Sequence, residues 1–248
     1  MENLETRVIG QRVLYFPSLA STMDMAKQEA RQGANEGTVI VAGAQNTARG
    51  RLQRAWISPA GNVALSLVLY PRQEHLSSLI MLASLAVVHC IRTVTVLKPQ
   101  IKWPNDVLIN GKKVCGILIE SDVRADTVNH VIIGIGINVN LRTADFPEIQ
   151  TTATSLSQEL GREVSCLNVV RALLEETDKL YLALSAGESL YEEWRDNLVT
   201  LGQAVRVTAG QIIYEGVAES VAHDGSLTIR DAKGQPVTIV VGDVTLRS

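Results

Sequence analysis

The chain of 248 residues is long enough for one large domain, or for a large and a small one. Apolar residues make up 46% and charged residues 20%, which is typical of a chain with a full hydrophobic core and excludes a disordered protein. The net charge is −3, so the chain does not have the excess of basic residues that is typical of nucleic-acid-binding proteins. A local arginine cluster in such a chain therefore indicates a small anion as its target.

The cysteines and histidines form no disulfide or metal pattern. The three cysteines are far apart in apolar contexts, which predicts buried free thiols in a reducing cytosol. The four histidines lack metal-ligand spacing, so we expect neither structural zinc nor a histidine-based triad. The first 11 residues contain no signal-peptide core, and the apolar stretch 76–96 is interrupted by polar residues. Both features predict a cytoplasmic protein without a membrane span.

In chain order, the first half predicts strands with two helices among them. A strand over residues 8–16 precedes a helix over 21–31, whose start is marked by Ser21 and its stop by Gly33. Strands near 38–43 and 62–70 follow, and then a buried helix over 76–96.

Short strands are predicted next, over residues 101–103, 106–109, 114–120 and 131–140. Asn110-Gly111 is the strongest hairpin signal, because a type I′ turn needs positive φ at both central positions. These hairpins favour an α+β fold, with a mixed or largely antiparallel sheet and helices on one side.

The second half predicts helices and then a small β-domain. A short helix over 156–160 lies in an irregular connection, a long amphipathic helix carries leucines from Leu167 to Leu184, and another carries Trp194. From Gly202 onward the pattern changes to short strands over residues 204–208, 214–221, 226–230 and 236–240. We therefore expect two domains, 1–199 and 200–248, the second a small β-barrel.

The first group of candidate functional residues is Arg49-Gly50-Arg51, with Arg54 three residues later, between two predicted strands. Guanidinium groups on a glycine-containing loop suit a phosphate, because arginine offers a planar fork of donors. A solvated basic turn is the alternative for such a short cluster.

A second constellation is Lys102-Trp103-Pro104-Asn105-Asp106. The residue before proline avoids the helical region, so Asn105 and Asp106 can point into one cavity from a rigid strand end. Asp106 could hold Mg²⁺ or orient an amine, and Lys102 could neutralise phosphate. A tryptophan-anchored turn with an Asn/Asp cap explains the motif equally well.

Two strand segments complete the set. Alternation after the hairpin places Lys113, Cys115 and Ile117 on one face, whereas Lys112 is expected to be solvated. Residues 134–140 contain glycines but lack the third glycine and the helix of a dinucleotide fingerprint. They predict close approach of a ligand to the backbone, with Asn138 as a polar end group. The sequence contains no P-loop motif.

Together these segments resemble the biotin protein ligase family. The matching pieces are Ser21-Thr22, Gln45 with Arg49-Gly50-Arg51, and residues 102–106, 113–120 and 134–140, in the family's order and spacing. The resemblance covers nearly the whole chain. It implies a catalytic domain like that of class II aminoacyl-tRNA synthetases and biotin ligases, followed by an SH3-like C-terminal barrel.

The resemblance also implies an activity. The carboxylate of biotin attacks the α-phosphate of ATP with Mg²⁺ present, giving biotinyl-5′-AMP and pyrophosphate. A lysine of a biotin carboxyl carrier domain, as in acetyl-CoA carboxylase, then attacks this mixed anhydride. The first step joins two anions, so it needs positive charge around the phosphate more than a strong base.

Residue roles follow only from this resemblance. Arg51, Lys113 and Asp106 are expected to be catalytic, and no protein ligands for the metal are predicted. Biotin is expected to contact Ser21, Thr22, Met23, Gln45, Arg49, Gly50, Arg51, Lys113 and Gly116. The nucleotide is expected to contact Arg49, Arg51, Arg54, Trp56, Lys102, Asn105, Asp106 and Asn138, with Trp56 beside adenine.

The chain departs from the family at Ala48 and Gln53, where glycine is usual, and at Met23, where asparagine is common. We expect a stiffer arginine loop, acting as a lid that orders over biotinyl-AMP. Only about 20 residues precede Ser21, which predicts a ligase without the winged helix of bifunctional members. The expected partners exclude nucleic acid and membrane, and a homodimer is possible. A lipoate-type adenylating ligase and a non-catalytic binding module are the competing interpretations.

Overall fold

A large mixed sheet and a small antiparallel sheet organise the chain. The computed structural model describes residues 4–124 and 127–246. Within these residues the large sheet has seven strands in the order β1-β2-β3-β7-β6-β5-β4, and of the paired strands only β1 and β2 run parallel. Its strands are β1 (Val13–Phe16), β2 (Val39–Ala42), β3 (Val63–Leu69), β4 (Gln100–Lys102), β5 (Asp106–Ile109), β6 (Lys112–Arg124) and β7 (Thr127–Ile137).

The predicted strand over residues 8–16 is correct only in its second half. The backbone N–H groups of Arg7, Val8 and Ile9 donate to the carboxylate of Asp178, at 2.8–2.9 Å, instead of to a neighbouring strand. This segment is therefore held by a side chain of a distant helix, which no local pattern indicates.

Helices cover both faces of the large sheet, so the prediction of helices on one side was wrong. The helices are α1 (Thr22–Arg31), α2 (Leu79–Val94), α3 (Leu156–Leu160), α4 (Cys166–Ser185) and α5 (Tyr191–Asp196). Helix α1 packs on Ile40, Val68 and Ile132, whereas the main core lies on the other face, where α2 and α4 pack. Alternation along each strand separates the two faces.

Helix α2 is the buried helix that the apolar stretch predicted. Of the described residues, one helical stretch, Gln73–Val94, is long and apolar enough to cross a membrane. However, 61% of its most apolar window is buried inside the protein, as is expected of a core helix.

The hairpin at Asn110-Gly111 forms as predicted, with φ of 50° and 76°. A β-bulge follows it: Leu108 pairs with Lys113 and Val107 with Cys115, so one residue of β6 is skipped. The bulge turns Lys113 to the face of Gly116, while Cys115 and Ile117 face the core. The predicted common face of Lys113, Cys115 and Ile117 was therefore wrong, because simple alternation ignores the inserted residue.

The small sheet has five antiparallel strands in the order β11-β10-β9-β8-β12. They are β8 (Ala204–Ala209), β9 (Ile212–Val221), β10 (Leu227–Arg230), β11 (Pro236–Ile239) and β12 (Asp243–Leu246). The α+β fold class is confirmed, but the prediction of a β-barrel was wrong: the sheet is open, since its edge strands β11 and β12 do not pair within the described residues. Strand β12 was missed by the sequence analysis.

Trp103 joins the two sheets. Its backbone N–H donates to Thr200 Oγ1 at 2.9 Å, and its indole Nε1 donates to the carbonyl of Gly225 at 2.8 Å. The peptide bond to Pro104 is cis. The side chain is only 1% exposed, so the lysine-tryptophan-proline turn is fixed between the large and the small sheet.

Candidate active site

One cleft of about 790 Å³ lies on the α1 face of the large sheet and is also bordered by β12. All the site residues predicted from the sequence line it: Ser21, Thr22, Met23, Gln45, Arg49, Gly50, Arg51, Arg54, Trp56, Lys102, Asn105, Asp106, Lys113, Gly116 and Asn138. The structure thus brings together residues that are spread over nearly 120 positions of the sequence.

Strand alternation creates the floor of this cleft. On β7, Val131, Ile133, Ile135 and Ile137 face the core, so Gly134 and Gly136 face the cleft. Gly116 on β6 pairs with Gly136 and shares this face. A Cβ at Gly134 would lie 2.5 Å from Met23 Sδ, and one at Gly136 would lie 2.6 Å from Trp56 Nε1. These glycines therefore admit side chains that lie flat on the sheet.

Neutral hydrogen-bonding groups form one end of the cleft. Gln45 Oε1 accepts from the backbone N–H of Thr22 at 2.8 Å and from its hydroxyl at 3.1 Å, and Gln45 Nε2 donates to Ser58 at 3.2 Å. Ser21 caps α1 by accepting from the N–H of Asp24 at the long distance of 3.4 Å. Ser21, Thr22 and Ser58 are buried, and Gln45 is half-buried and held by three hydrogen bonds, so this end offers polar atoms without net charge.

Two lysines and a carboxylate form the opposite end. Asp106 Oδ1 lies 2.6 Å from Lys113 Nζ, and Asp106 Oδ2 lies 3.0 Å from Lys102 Nζ. Burial raises the pKa of the Asp106 carboxyl, but the positive charges and hydrogen bonds of Lys113 and Lys102 outweigh it, and the pKa lies below its ordinary value. Asp106 is therefore ionised at neutral pH and is a weak base.

Asparagines fix the geometry around this charged end. Asn105 Nδ2 donates to the carbonyl of Ile117 at 2.7 Å, and Asn105 Oδ1 accepts from Arg51 Nη1 at 3.1 Å. Asn138 donates to the carbonyl of Thr154 at 3.0 Å and is nearly buried. Lys113 Nζ also lies 5.3 Å from the ring centroid of Trp56, within the range of a cation–π contact.

The arginine loop closes over the cleft as a short hairpin. Trp56 N–H donates to the carbonyl of Ala48 at 3.0 Å, and Gly50 N–H donates to that of Arg54 at 2.8 Å. Each guanidinium has an acidic partner: Arg49 pairs with Asp24 at 2.6 Å, and Asp243 pairs with Arg51 at 3.6 Å and Arg54 at 3.0 Å. The loop thus connects α1 with the C-terminal sheet.

Comparisons with known proteins agree with this architecture. The family model for the biotin/lipoate A/B protein ligase family matches residues 15–138, and that for the biotin protein ligase C-terminal domain matches residues 200–247. The chain is 38% identical to the bifunctional ligase/repressor BirA of Bacillus subtilis over 237 residues, which cover 93% of this chain and 73% of that protein. The chain belongs to the biotin protein ligase family.

Two further members of the family are similar to this chain over most of its length. The biotin–[acetyl-CoA-carboxylase] ligase of Paracoccus denitrificans is 30% identical over 83% of this chain and 89% of that protein. The solved structure of the Aquifex aeolicus biotin protein ligase in complex with biotin and ATP superposes with a TM-score of 0.82 at 27% identity, covering 96% of this chain and 99% of that one.

Three acidic or loop features around the ligase cleft escaped the sequence analysis. Asp24 and Asp243 pair with the arginine loop, and residues 148–149 and 151–153 line the same cleft as Asn138. Asp243 lies at the start of β12, whose alternation Asp-Val-Thr-Leu after Gly242 was the available signal. Asp24 lies in the first turn of α1, where an acidic residue is explained by its favourable interaction with the helix dipole. The sequence therefore offered no reason to assign Asp24 a further partner.

The backbone at Gln53 explains why glycine is usual at this place in the family. Its φ is 59°, and that of the neighbouring Leu52 is 53°, in the left-handed region that favours glycine. A glycine at this place would adopt the same turn without strain. Met23 is buried and packs on Gly134, so a thioether replaces an amide at this wall of the cleft.

Thiol labelling tests the predicted burial of the cysteines. Burial raises the pKa of the Cys90 thiol to about 12, and it also raises the pKa of Cys115 and of Cys166. Only Cys166 is partly exposed. We expect iodoacetamide at pH 8, followed by peptide mass spectrometry, to modify Cys166 in the native ligase, and Cys90 and Cys115 only after unfolding. Labelling of native Cys115 would contradict the closed floor of the cleft.

Proposed function

We propose that this chain is an ATP-dependent ligase that forms biotinyl-5′-AMP and transfers the biotinyl group to a lysine of a biotin carboxyl carrier domain. The observation that carries the proposal is a cleft with a neutral end, formed by hydroxyls and the amide of Gln45, and a cationic end, with the arginine loop lining it as well. Such a cleft fits a molecule with an uncharged polar ring and a reacting carboxylate beside a phosphate.

The neutral end suits the ureido ring of biotin. A cyclic urea offers one carbonyl acceptor and two N–H donors, and the hydroxyls of Ser21 and Thr22 with the amide of Gln45 supply complementary groups. Because these side chains already hold one another, they need little reordering when a ring enters. Met23 and Gly116 would contact the apolar part of biotin.

The cationic end suits the α-phosphate. Arg51, Lys102 and Lys113 surround the place where two anions would meet, and Asn105 holds Arg51 in position at 3.1 Å. Attack of the biotin carboxylate on phosphorus forms the carboxyl–phosphate bond and breaks the bond to pyrophosphate. The surrounding charge stabilises the oxyanions of this transition state. Trp56 and Asn138 are proposed to border the nucleotide.

In the second step the lysine amine attacks the carboxyl carbon of the anhydride, and AMP leaves. The depressed pKa of Asp106 makes this carboxylate a poor acceptor of the amine proton. We therefore assign Asp106 the task of fixing Lys102 and Lys113, not of a general base. The family resemblance suggested that Asp106 is catalytic, and we restrict its role to positioning the two lysines.

Mg²⁺ is proposed to accompany ATP. No group of three or more His, Cys, Asp or Glu side chains suited to a metal is found among the described residues. Asp106 and Asp243 each have two cationic partners, so they are not free ligands. The residues at the site thus fit a metal carried by the phosphates, which is the usual mode for magnesium, more than one held by a protein cage.

The remaining proposals concern domains and partners. We propose a boundary between residues 199 and 200, because α5 ends at Asp196 and β8 begins at Ala204. The net charge of −3 and the free cysteines support a cytoplasmic protein without a nucleic-acid or membrane partner. A shifted operator DNA fragment at physiological salt would contradict this, and sedimentation velocity decides whether the chain forms a homodimer.

The deciding experiment combines the protein with biotin, MgATP and a carrier domain, and measures the intact mass of the acceptor. We expect the mass to increase by one biotinyl group, with biotin-dependent pyrophosphate exchange when the acceptor is left out. A parallel reaction with lipoate and a lipoyl domain is the matched control. Modification of the lipoyl domain alone would replace our proposal with a lipoate ligase, and no adenylation of either acid would indicate a binding module.

A further inference from the structure

The guanidinium of Arg49, a residue that lines the cleft, is paired through both terminal nitrogens with Asp24, which does not line it. Its Nη1 lies 2.9 Å from Asp24 Oδ2 and its Nη2 lies 2.6 Å from Asp24 Oδ1, so the two groups form a parallel, two-pronged pair. Hydrogen bonding from Arg49 is also the main reason why the pKa of Asp24 lies below its ordinary value. Both terminal nitrogens of Arg49 are therefore occupied by a side chain of α1.

Arg51 is bound differently. Its Nη1 lies 3.1 Å from Asn105 Oδ1 and 3.6 Å from Asp243 Oδ1. No hydrogen bond from Nε or Nη2 of Arg51 is found in the described part of the chain. The Nε and Nη2 nitrogens of Arg51 are thus available to an anion, whereas the terminal nitrogens of Arg49 would have to leave a charge-assisted pair before they could bind one.

The position of Asp24 connects the arginine loop with the neutral end of the cleft. Asp24 is the third residue of α1, and its backbone N–H donates to the hydroxyl of Ser21. The chain before the loop runs beside the same segment, since Thr47 N–H donates to the carbonyl of Ala20 at 3.0 Å. The Asp24–Arg49 pair continues this attachment by two residues, up to the point where the loop crosses the cleft.

We propose that Asp24 is a positioning residue for biotin, acting through Arg49. The pair fixes the start of the arginine loop at the biotin end, so that the backbone of Arg49 and Gly50 borders the ring while Arg51 serves the phosphate. This inference rests on the proposed ligase function. It gives separate roles to Arg49 and Arg51, which the sequence analysis had placed together at both biotin and the nucleotide.

Steady-state pyrophosphate exchange on the full chain separates the two roles. Asp24→Ala and Arg49→Ala are each expected to raise KM for biotin about tenfold, with kcat within about threefold of the original. The double variant is expected to be no worse than either single variant, because the pair acts as a unit. Arg51→Ala is expected to lower kcat about 10²–10³-fold instead. Asp24→Glu keeps the carboxylate and is expected to restore part of the biotin affinity.

Glu29→Ala is the matched control, since Glu29 lies on the same helix as Asp24 and forms an ion pair with Arg12, at 2.8 Å, outside the cleft. It is expected to leave both constants unchanged. If Arg49→Ala lowers kcat as Arg51→Ala does while Asp24→Ala has no effect, Arg49 is a phosphate ligand and the proposal is wrong. An unchanged KM for biotin in Asp24→Ala overturns it as well. If the unaltered chain shows no biotin-dependent exchange, the ligase function itself fails, which is a different result.

Discussion

Replacing Lys113 by alanine is expected to lower the rate of biotinyl-adenylate formation by about 10²–10³-fold, with the fold intact. The ammonium lies 2.6 Å from Asp106 and over the ring of Trp56, at the cationic end of the cleft. Its loss removes a positive charge from the place where carboxylate and phosphate meet, and it leaves Asp106 with less compensation. Single-turnover formation of biotinyl-AMP, followed by chromatography, measures the effect directly.

Lys112→Ala is the control for this substitution. Lys112 is the neighbouring residue, carries the same charge, and is exposed on the hairpin. It does not line the cleft. Its removal is expected to change the adenylation rate less than about threefold, in keeping with the small effect of exposed charges. Equal losses in the two variants would mean that general charge, and not the position of Lys113, sustains the reaction.

Replacing Trp103 by alanine is expected to lower the free energy of unfolding by about 3–5 kcal/mol. The side chain is 1% exposed, and its indole N–H donates across to Gly225 in the small sheet. Truncation creates a cavity at the junction of the two sheets and leaves the carbonyl of Gly225 without its donor. Urea unfolding, followed by fluorescence and by circular dichroism, measures the decrease in the free energy of unfolding. It also shows whether the large and the small sheet unfold in separate transitions.

Phenylalanine variants at two tryptophans separate the hydrogen bond from the packing. Trp194 is equally buried, but its Nε1 has no hydrogen-bond partner in the described structure. Trp103→Phe is therefore expected to cost more stability than Trp194→Phe, because only the first loses a bond between the sheets. Similar losses would show that the Gly225 contact contributes nothing beyond burial.

Local patterns predicted the elements well where the cause is local. The cap at Ser21, the turn at Asn110-Gly111 and the short helix Leu156–Leu160 form as expected, because side-chain capping, positive φ and periodicity act over a few residues. The alternation of isoleucine and glycine in β7 likewise indicated which face is open. Errors occurred where a partner distant in sequence decides, as in the first strand, whose beginning is bound by Asp178.

The most consequential of these errors was that the sequence analysis did not predict the bulge in β6. A strict period of two placed Lys113 with the core residues Cys115 and Ile117, which would have removed it from the site. The skipped residue opposite β5 reverses the orientation, and so brings Lys113 to Asp106. Whether a strand contains an extra residue depends on its pairing with the neighbouring strand, and this information lies outside the strand's own sequence.

The sequence by itself determined which residues meet, because the lysine-tryptophan-proline-asparagine-aspartate motif, the arginine loop and the glycine strand occur together in the order of a known family. Only the tertiary structure decided which acidic residue pairs with which arginine of the loop. Asp24 and Asp243 are ordinary acidic residues in their local contexts, and they become partners of Arg49, Arg51 and Arg54 when α1 and β12 meet at the loop. Ion pairing depends on distance in space, and the partners of these pairs lie between 25 and 192 positions apart along the chain, so spacing in the sequence does not predict them.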